Sequence, residues 1–239
     1  DLGLEKEVKG ISKFCIHPKA WYKNKIKVGG TKNIKIDVIK RISPDLIIAN
    51  REENVKEQVE ELAEIFDVVV TDINNLENAL EMIKNMGTLT GKKKTALTVA
   101  NKIEKKFQKL SESISGIQKI KTAYLIWRNP YMAVGGNTFI NAMMQYCGLE
   151  NIFAEAERYP VIDWADLQND KHEKEKCELL LLSSEPYPFK EKHITEIKSQ
   201  LPKLKIMLVD GEMFSWYGSR LLKAVEYFKI FQQRLPLLK

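Results

Sequence analysis

The sequence predicts an α/β protein of two lobes, each with a mostly parallel sheet flanked by helices, joined by one long backbone helix. Three observations carry this. First, Lys92 to Ser115 is bracketed by Gly91 and Gly116 and contains neither Gly nor Pro. Second, Ala96, Val99, Ala100, Ile103, Phe107, Leu110 and Ile114 recur there at steps of three and four, the period of one helix face. Third, short β-type runs alternate with ordinary helical patterns on both sides of it. Such alternation builds parallel sheets with right-handed crossovers. Roughly 24 residues at about 1.5 Å each make a rod of about 36 Å, as long as a small domain is wide. The expected division is residues 1–90 as an N-terminal lobe, 91–116 as the connecting helix and 117–239 as a C-terminal lobe. A long surface helix of one larger domain is the competing arrangement.

The remaining elements follow in order. Val8 to Lys13 is β-type and ends at Phe14-Cys15-Ile16-His17-Pro18; Trp21, Tyr22 and Val28-Gly29-Gly30 read as irregular. Ile34, Val38, Ile39 and Ile42 have helical spacing before Pro44. Asp45 to Ala49 is a continuous apolar run, as a strand buried on both faces would be. Asn54 and Glu57 form a candidate N-cap pair for a helix that buries Val55, Val59, Leu62, Ala63 and Phe66. Asp67 to Thr71 is the next strand and Leu76 to Leu89 the next helix. Beyond the long helix, Thr122 to Trp127 is a strand, Met132 to Val134 a short hairpin arm, and Thr138 to Cys147 a helix stopped by Gly148. Asp163 to Gln168 starts a short helix. Leu179 to Leu182 reads as the most buried strand. Phe189 to Leu201 is a helix closed by Pro202, Ile206 to Val209 the last strand, and Ser215 to Gln233 a terminal helix.

Composition excludes several classes. At 239 residues and 44% hydrophobic content, the chain can bury a sizeable core. No apolar run approaches the ~20 residues that span a bilayer. Net charge is +6 and the pI about 9.0, but lysine is spread over nearly every helix. Blocks such as Glu173-Lys174-Glu175-Lys176 carry both signs, so nucleic acid is not the expected partner. Cys15, Cys147 and Cys177 are too few and too widely spaced for a disulfide framework or a zinc knuckle, and Cys147 reads as core. Asp1-Leu2-Gly3-Leu4 reads like a helix end with its C-cap, as though upstream sequence precedes it. No G-x-S-x-G, H-E-x-x-H or C-x-x-C motif occurs. His17, Glu185 and Glu212 lack a nucleophile or metal partner at diagnostic spacing, so neither an enzyme nor a cofactor is expected.

In open α/β sheets, ligands bind outside the carboxyl ends of the strands. That rule selects Phe14 to His17, Asn50-Arg51, Trp127 to Tyr131, Ser184 to Tyr187 and Gly211 to Tyr217. If the lobes face one another, these loops line one cleft suited to a large, flat or apolar ligand with a few polar anchors. Trp216 and Tyr217 are the leading candidates, with Tyr131, Tyr187, Trp127, Phe214 and Phe14 as further aromatic walls. Arg51, Arg128 and Glu185 are the polar anchors. His17 is a loop residue with metal ligation as its alternative. Gly135 to Thr138 opens a helix in the manner of an anion-holding turn, without a dinucleotide or Walker spacing. His172 and His193 fall on helices and are expected to face solvent.

Val28-Gly29-Gly30, the following helix, and Ser43 to Ala49 resemble the first lobe of the periplasmic binding proteins for cobalamin and ferric siderophores, the helical-backbone class III solute-binding proteins. The long helix after Leu89-Thr90-Gly91, then Ala133 to Ile140, Tyr159-Pro160-Val161 and Leu179 to Ser183 fit the same family in order and spacing. The resemblance implies a solute-binding protein of an ABC importer that takes a corrinoid, ferric siderophore or haem in a cleft between two lobes. It implies a monomer in the periplasm or at the cell surface, meeting the membrane through a permease or an upstream lipid anchor. It adds Tyr159 to the ligand candidates. A helical connection implies less opening and closing than strand hinges allow. Three departures stand out. The family has one more strand and helix before the position of Asp1. Its permease-docking glutamates correspond to Lys56 and to a position near Ala165, leaving the adjacent Glu57 and Asp166 as docking candidates. An aromatic often placed after the second strand is Asn50 here. A metal chelatase or transferase on the same plan, and a cytoplasmic sensor, are the alternative functions.

Overall fold

A computed structural model describes residues 1–168 and 176–235. It divides into two compact units, residues 1–72 and 73–239. His172 and the block at residues 173–175 lie outside the described residues.

In the first unit, β1 (Gly10–Ile11) pairs in parallel with β2 (Ile26–Lys27), across α1 (Lys19–Asn24). α2 (Ile36–Ile42) leads to β3 (Ile47–Asn50), which pairs in parallel with β4 (Val68–Thr71) across α3 (Lys56–Ala63). Trp21 and Tyr22 are therefore helical, because Pro18 takes the N-cap position with its φ already near −65°. Gly29 sits at φ +105°, and a Cβ there would stand 2.4 Å from the Asn33 carbonyl oxygen, so this turn needs glycine. Asn54 does not cap α3. Its side-chain oxygen accepts from the Asn50 N–H (2.7 Å) and its amide donates to the Thr31 carbonyl (3.1 Å), tying two loops together. Ile48 remains about half exposed, contrary to the expected double-sided burial, and Val70 on the neighbouring strand is about half exposed as well. Among the described residues β3 and β4 pair only with each other, which gives the strands no interior position.

The second unit starts with α4 (Leu76–Leu89) and α5 (Lys93–Ser113), which pack on each other as an antiparallel hairpin. The long helix is thus continuous, as its period predicts, and Ala96, Ala100, Ile103, Phe107 and Leu110 are buried. Its sheet runs in the order β6 (Met132–Ala133), β5 (Ile120–Trp127), β8 (Leu179–Ser183), β9 (Lys205–Val209), with β7 (Leu149–Asn151) also on β5. Only the β5–β6 pair is antiparallel, matching the hairpin arm. α6 (Phe139–Tyr146), α7 (Trp164–Gln168) and α8 (Glu191–Gln200) complete the crossovers. β7 was not expected: three residues directly behind Gly148 are too few to display a period of two.

Side chains alternate across the sheet. Ala123, Leu125, Leu180 and Leu182 point to a core closed by Ile162, Leu167, Phe189, Ile197 and Leu201. On the other face Tyr124 meets Phe214, and Phe214 meets Phe228 of α10 (Leu221–Arg234). Phe228 in turn meets Phe107 of α5. The expected terminal helix is broken. α9 (Gly211–Ser215) ends before Gly218, whose φ of +83° redirects the chain through a 3-10 turn into α10.

The α4–α5 contact generates a prediction. A Cβ at Gly87 would lie 2.2 Å from the Ala96 Cβ. Gly87→Ala gains up to about 1 kcal/mol of helix propensity. Forcing the two helices apart costs more, about 1–3 kcal/mol. Thermal denaturation should therefore show a lower Tm for Gly87→Ala, and a higher Tm would mean that the helices do not touch there.

Candidate functional site

Because β5, β8 and β9 are adjacent and parallel, their carboxyl ends open on the same edge of the second unit. The segments after them are Trp127 to Tyr131, Ser184 to Tyr187 and Asp210 to Tyr217. The backbone links them: Tyr187 N–H donates to the Ile126 carbonyl (3.2 Å) and Gly211 N–H donates to the Ser184 hydroxyl (2.9 Å). A Cβ on Gly211 would stand 2.4 Å from the Ser183 Oγ and 2.5 Å from the Glu185 Cγ, so glycine permits the close approach of the β8 and β9 ends.

Two clusters occupy this edge. In the first, Glu185 Oε1 accepts from the Ser215 hydroxyl (2.6 Å) and from the Trp216 indole N–H (2.7 Å). Glu185 therefore orients Trp216. Arg220 lies over the Trp216 ring, 5.4 Å from its centroid, and forms an ion pair with Glu212. Its Nε is buried without a hydrogen-bond partner among the described residues. Tyr217 packs edge-on against Phe139 at 5.6 Å. In the second cluster Trp127, 40% exposed, meets Tyr187 edge-on at 5.9 Å. Tyr131 tilts over Trp164 at 4.3 Å. Arg128 donates to Glu196 (2.5 Å) and lies 3.4 Å from the Tyr131 hydroxyl. The Arg128 hydrogen bond holds the Glu196 carboxyl below its ordinary pKa.

Three expectations are corrected. Phe214 is fully buried, because α9 turns it inward between Tyr124 and Phe228, so it belongs to the core. His193 does not face solvent. It is 2% exposed, its Nδ1 accepts from the Lys190 N–H (2.8 Å) at the start of α8, and its ring stands edge-on to Phe189. The Gly135-Gly136 turn is no free anion cradle either. Both N–H groups donate to the Arg158 and Ala156 carbonyls (2.7 Å each), and Cβ atoms would meet the 154–158 backbone at 2.2–2.3 Å. Tyr159, half-buried, continues that same segment. Cys147 is buried as expected.

In the first unit, Phe14 follows the carboxyl end of β1 and is 53% exposed, with the Lys13 amine 5.0 Å from its ring. His17 is exposed on the same loop. Arg51, just after β3, forms an exposed ion pair with Asp72 at 2.8 Å. Glu57 is exposed in the first turn of α3, beside the Lys56–Glu60 pair at 3.6 Å. On α7, Asp166 is exposed and accepts from the Asp163 N–H (2.7 Å). Among the described residues, no three or more of His, Cys, Asp and Glu gather as metal ligands, and no helix is long and apolar enough to cross a membrane. A cavity of about 600 Å3 opens away from these loops, beside the amino end of β5, lined among others by Ser111, Lys119, Gln145 and Tyr146. Sequence reasoning missed Arg220 and Trp164, and selected Ser215 only as part of the 211–217 loop. Arg220 had one available signal, its spacing of four from Trp216.

Comparison with known proteins adds three findings. A family model described as periplasmic binding protein matches residues 1–201. The vitamin B12-binding protein of Vibrio campbellii is 24% identical over 162 residues, which are 67% of this chain and 58% of that protein. The chain thus matches less than two thirds of the length of its curated relatives. Among solved structures, the periplasmic vitamin B12 binding protein of Vibrio cholerae superposes with a TM-score of 0.81 at 18% identity, covering 97% of this chain and 90% of that one. A periplasmic heme binding protein from Pseudomonas aeruginosa gives 0.80 at 16% identity, covering 97% and 85%. At these identities the likeness is one of fold.

The His193 environment predicts a pH dependence. Burial, with Lys192 and Arg128 nearby, lowers the His193 pKa below its ordinary value. Between that ordinary value of about 6.5 and the lower folded value, the unfolded chain binds the proton more readily. Stability is therefore complete above pH of about 6.5 and falls as the pH drops below it. Melting curves at neutral and mildly acidic pH should show a smaller acid-induced Tm decrease for His193→Gln than for the wild type; an equal decrease would assign the effect to other groups.

Proposed function

The chain belongs to the periplasmic binding protein family, and from that premise we propose that it is the solute-binding component of an ABC importer, taking a bulky metal-containing ligand: a corrinoid, haem or a ferric siderophore. One observation carries the reading. Trp127, Tyr187, Trp216 and Tyr217 stand part-exposed on the adjacent carboxyl ends of β5, β8 and β9, where open α/β folds take their ligands. Trp216 is held by a carboxylate and an arginine, so its ring is preorganised, which lowers the ordering cost of binding. Tyr131 and Tyr159 flank this group in our reading, and Arg128 would meet an acidic substituent by exchanging Glu196 for it. The names of the relatives support the ligand class: one binds vitamin B12 and another heme. A location outside the cytoplasm follows from the same family. Glu57 and Asp166, both exposed, are the proposed contacts for an arginine-bearing permease.

The test is an absorbance spectrum of the purified protein, followed by fluorescence-quenching titration with hydroxocobalamin, hemin and ferric siderophores. Saturable binding of at least one is expected. Losing a buried aromatic contact is worth roughly 1.5–3 kcal/mol, and about 1.4 kcal/mol is tenfold in affinity. Trp216→Ala should thus weaken that binding at least about tenfold. Retained affinity with a lowered Tm would remove Trp216 from the site, and no binding of any of the three classes would overturn the proposal.

A further inference from the structure

The first unit carries a lysine-rich surface around α1. No Asp or Glu occurs between Glu7 and Asp37, whereas lysine occurs eight times in that interval. α1 lies within it and buries no residue. Lys19, Tyr22 and Lys23 share one face of α1 by their spacing of three and four. Ile16, Tyr22 and Ile26 are 37%, 42% and 52% exposed. Lysine amines lie over the rings, Lys25 at 5.5 Å from Trp21 and Lys27 at 4.8 Å from Tyr22. Lys25 and Lys27 donate to backbone carbonyls of Glu5, Tyr22 and Lys25, and among the described residues neither forms an ion pair. The segment thus combines lysines with amphipathic rings and exposed isoleucines.

We propose that this face seats on an anionic phospholipid surface, with Lys19 and Lys23 over the phosphates and Ile16, Tyr22 and Ile26 entering the headgroup boundary. Lysine stems and tyrosine rings suit that boundary, since each offers an apolar body and a polar tip. A short basic segment gains affinity from every lysine near an anionic leaflet, and salt screens that attraction. Nucleic acid is the competing polyanion. Aliphatic side chains such as Ile16 and Ile26 gain nothing from a phosphate backbone, whereas they gain from lipid.

Vesicle co-sedimentation tests this with the whole chain. The probes are vesicles of phosphatidylcholine alone, and vesicles in which about one lipid in three is phosphatidylglycerol. We expect at least tenfold tighter binding to the anionic vesicles at low salt, largely lost at about 0.5 M salt. The double variant Lys19→Glu/Lys23→Glu should lose at least tenfold of that binding, whereas Lys102→Glu/Lys109→Glu, on the exposed face of α5, should keep it. Equal binding to both vesicles, or equal losses in the two double variants, would overturn the proposal, the second by reducing it to net charge. A DNA duplex bound more tightly than the vesicles at equal phosphate concentration would overturn it in favour of nucleic acid.

Discussion

Burial of β8 is the constraint on which the second unit depends. Leu179, Leu180, Leu181 and Leu182 are essentially inaccessible to water, and the strand is hydrogen-bonded to β5 on one side and β9 on the other. Four consecutive leucines can be buried only if both faces of the sheet are covered, so the chain must supply a layer on each. α8 and the 162–167 segment supply one, while α9 and α10 supply the other, continued by α5 through Phe107 and Phe228. The parallel neighbours that β8 requires then bring three carboxyl ends to one edge. The aromatic edge follows from the placement of the leucines.

At that edge, polar groups serve the aromatics. Ser183 stands at the end of β8, fully buried, and its hydroxyl lies 3.1 Å from the equally buried Tyr124 hydroxyl. Burial pushes the Tyr124 pKa well above its ordinary value, so the phenol stays neutral and remains a donor. Glu185, two residues on, spends one oxygen on Ser215 and Trp216. A buried polar group must be satisfied or it costs stability, and these bonds satisfy theirs while fixing ring orientation. The Arg128–Glu196 and Arg220–Glu212 pairs act alike: each neutralises an arginine beside an aromatic ring.

Much of this was legible in the sequence. The period of three and four from Ala96 to Leu110 gave the long helix, the leucine run gave β8, and the carboxyl-end rule selected the loops that carry Trp127, Tyr187 and Trp216. The failures share a cause, since each depended on a contact distant in sequence. Phe214 looked like a loop aromatic, and only packing against Tyr124 and Phe228 reveals it as core. His193 looked like a surface residue of a charged helix until its ring folded back onto the Lys190 N–H. Gly135 and Gly136 looked like an anion turn, and the partner that consumes their N–H groups lies some twenty residues later, in the 154–158 segment. The half-exposed Ile48 and Val70 show the same limit from the other side, because an apolar run announces a strand without saying how many neighbours it finds.

The central claim is that the edge formed by the ends of β5, β8 and β9 is where the ligand sits. Hydrogen–deuterium exchange of the full chain, alone and saturated with whichever of hemin or hydroxocobalamin it binds, tests this directly. The account predicts slowed exchange in the segments 127–131, 184–187 and 211–217. Protection confined to residues 111–119 and 142–146, around the cavity beside the amino end of β5, would contradict it.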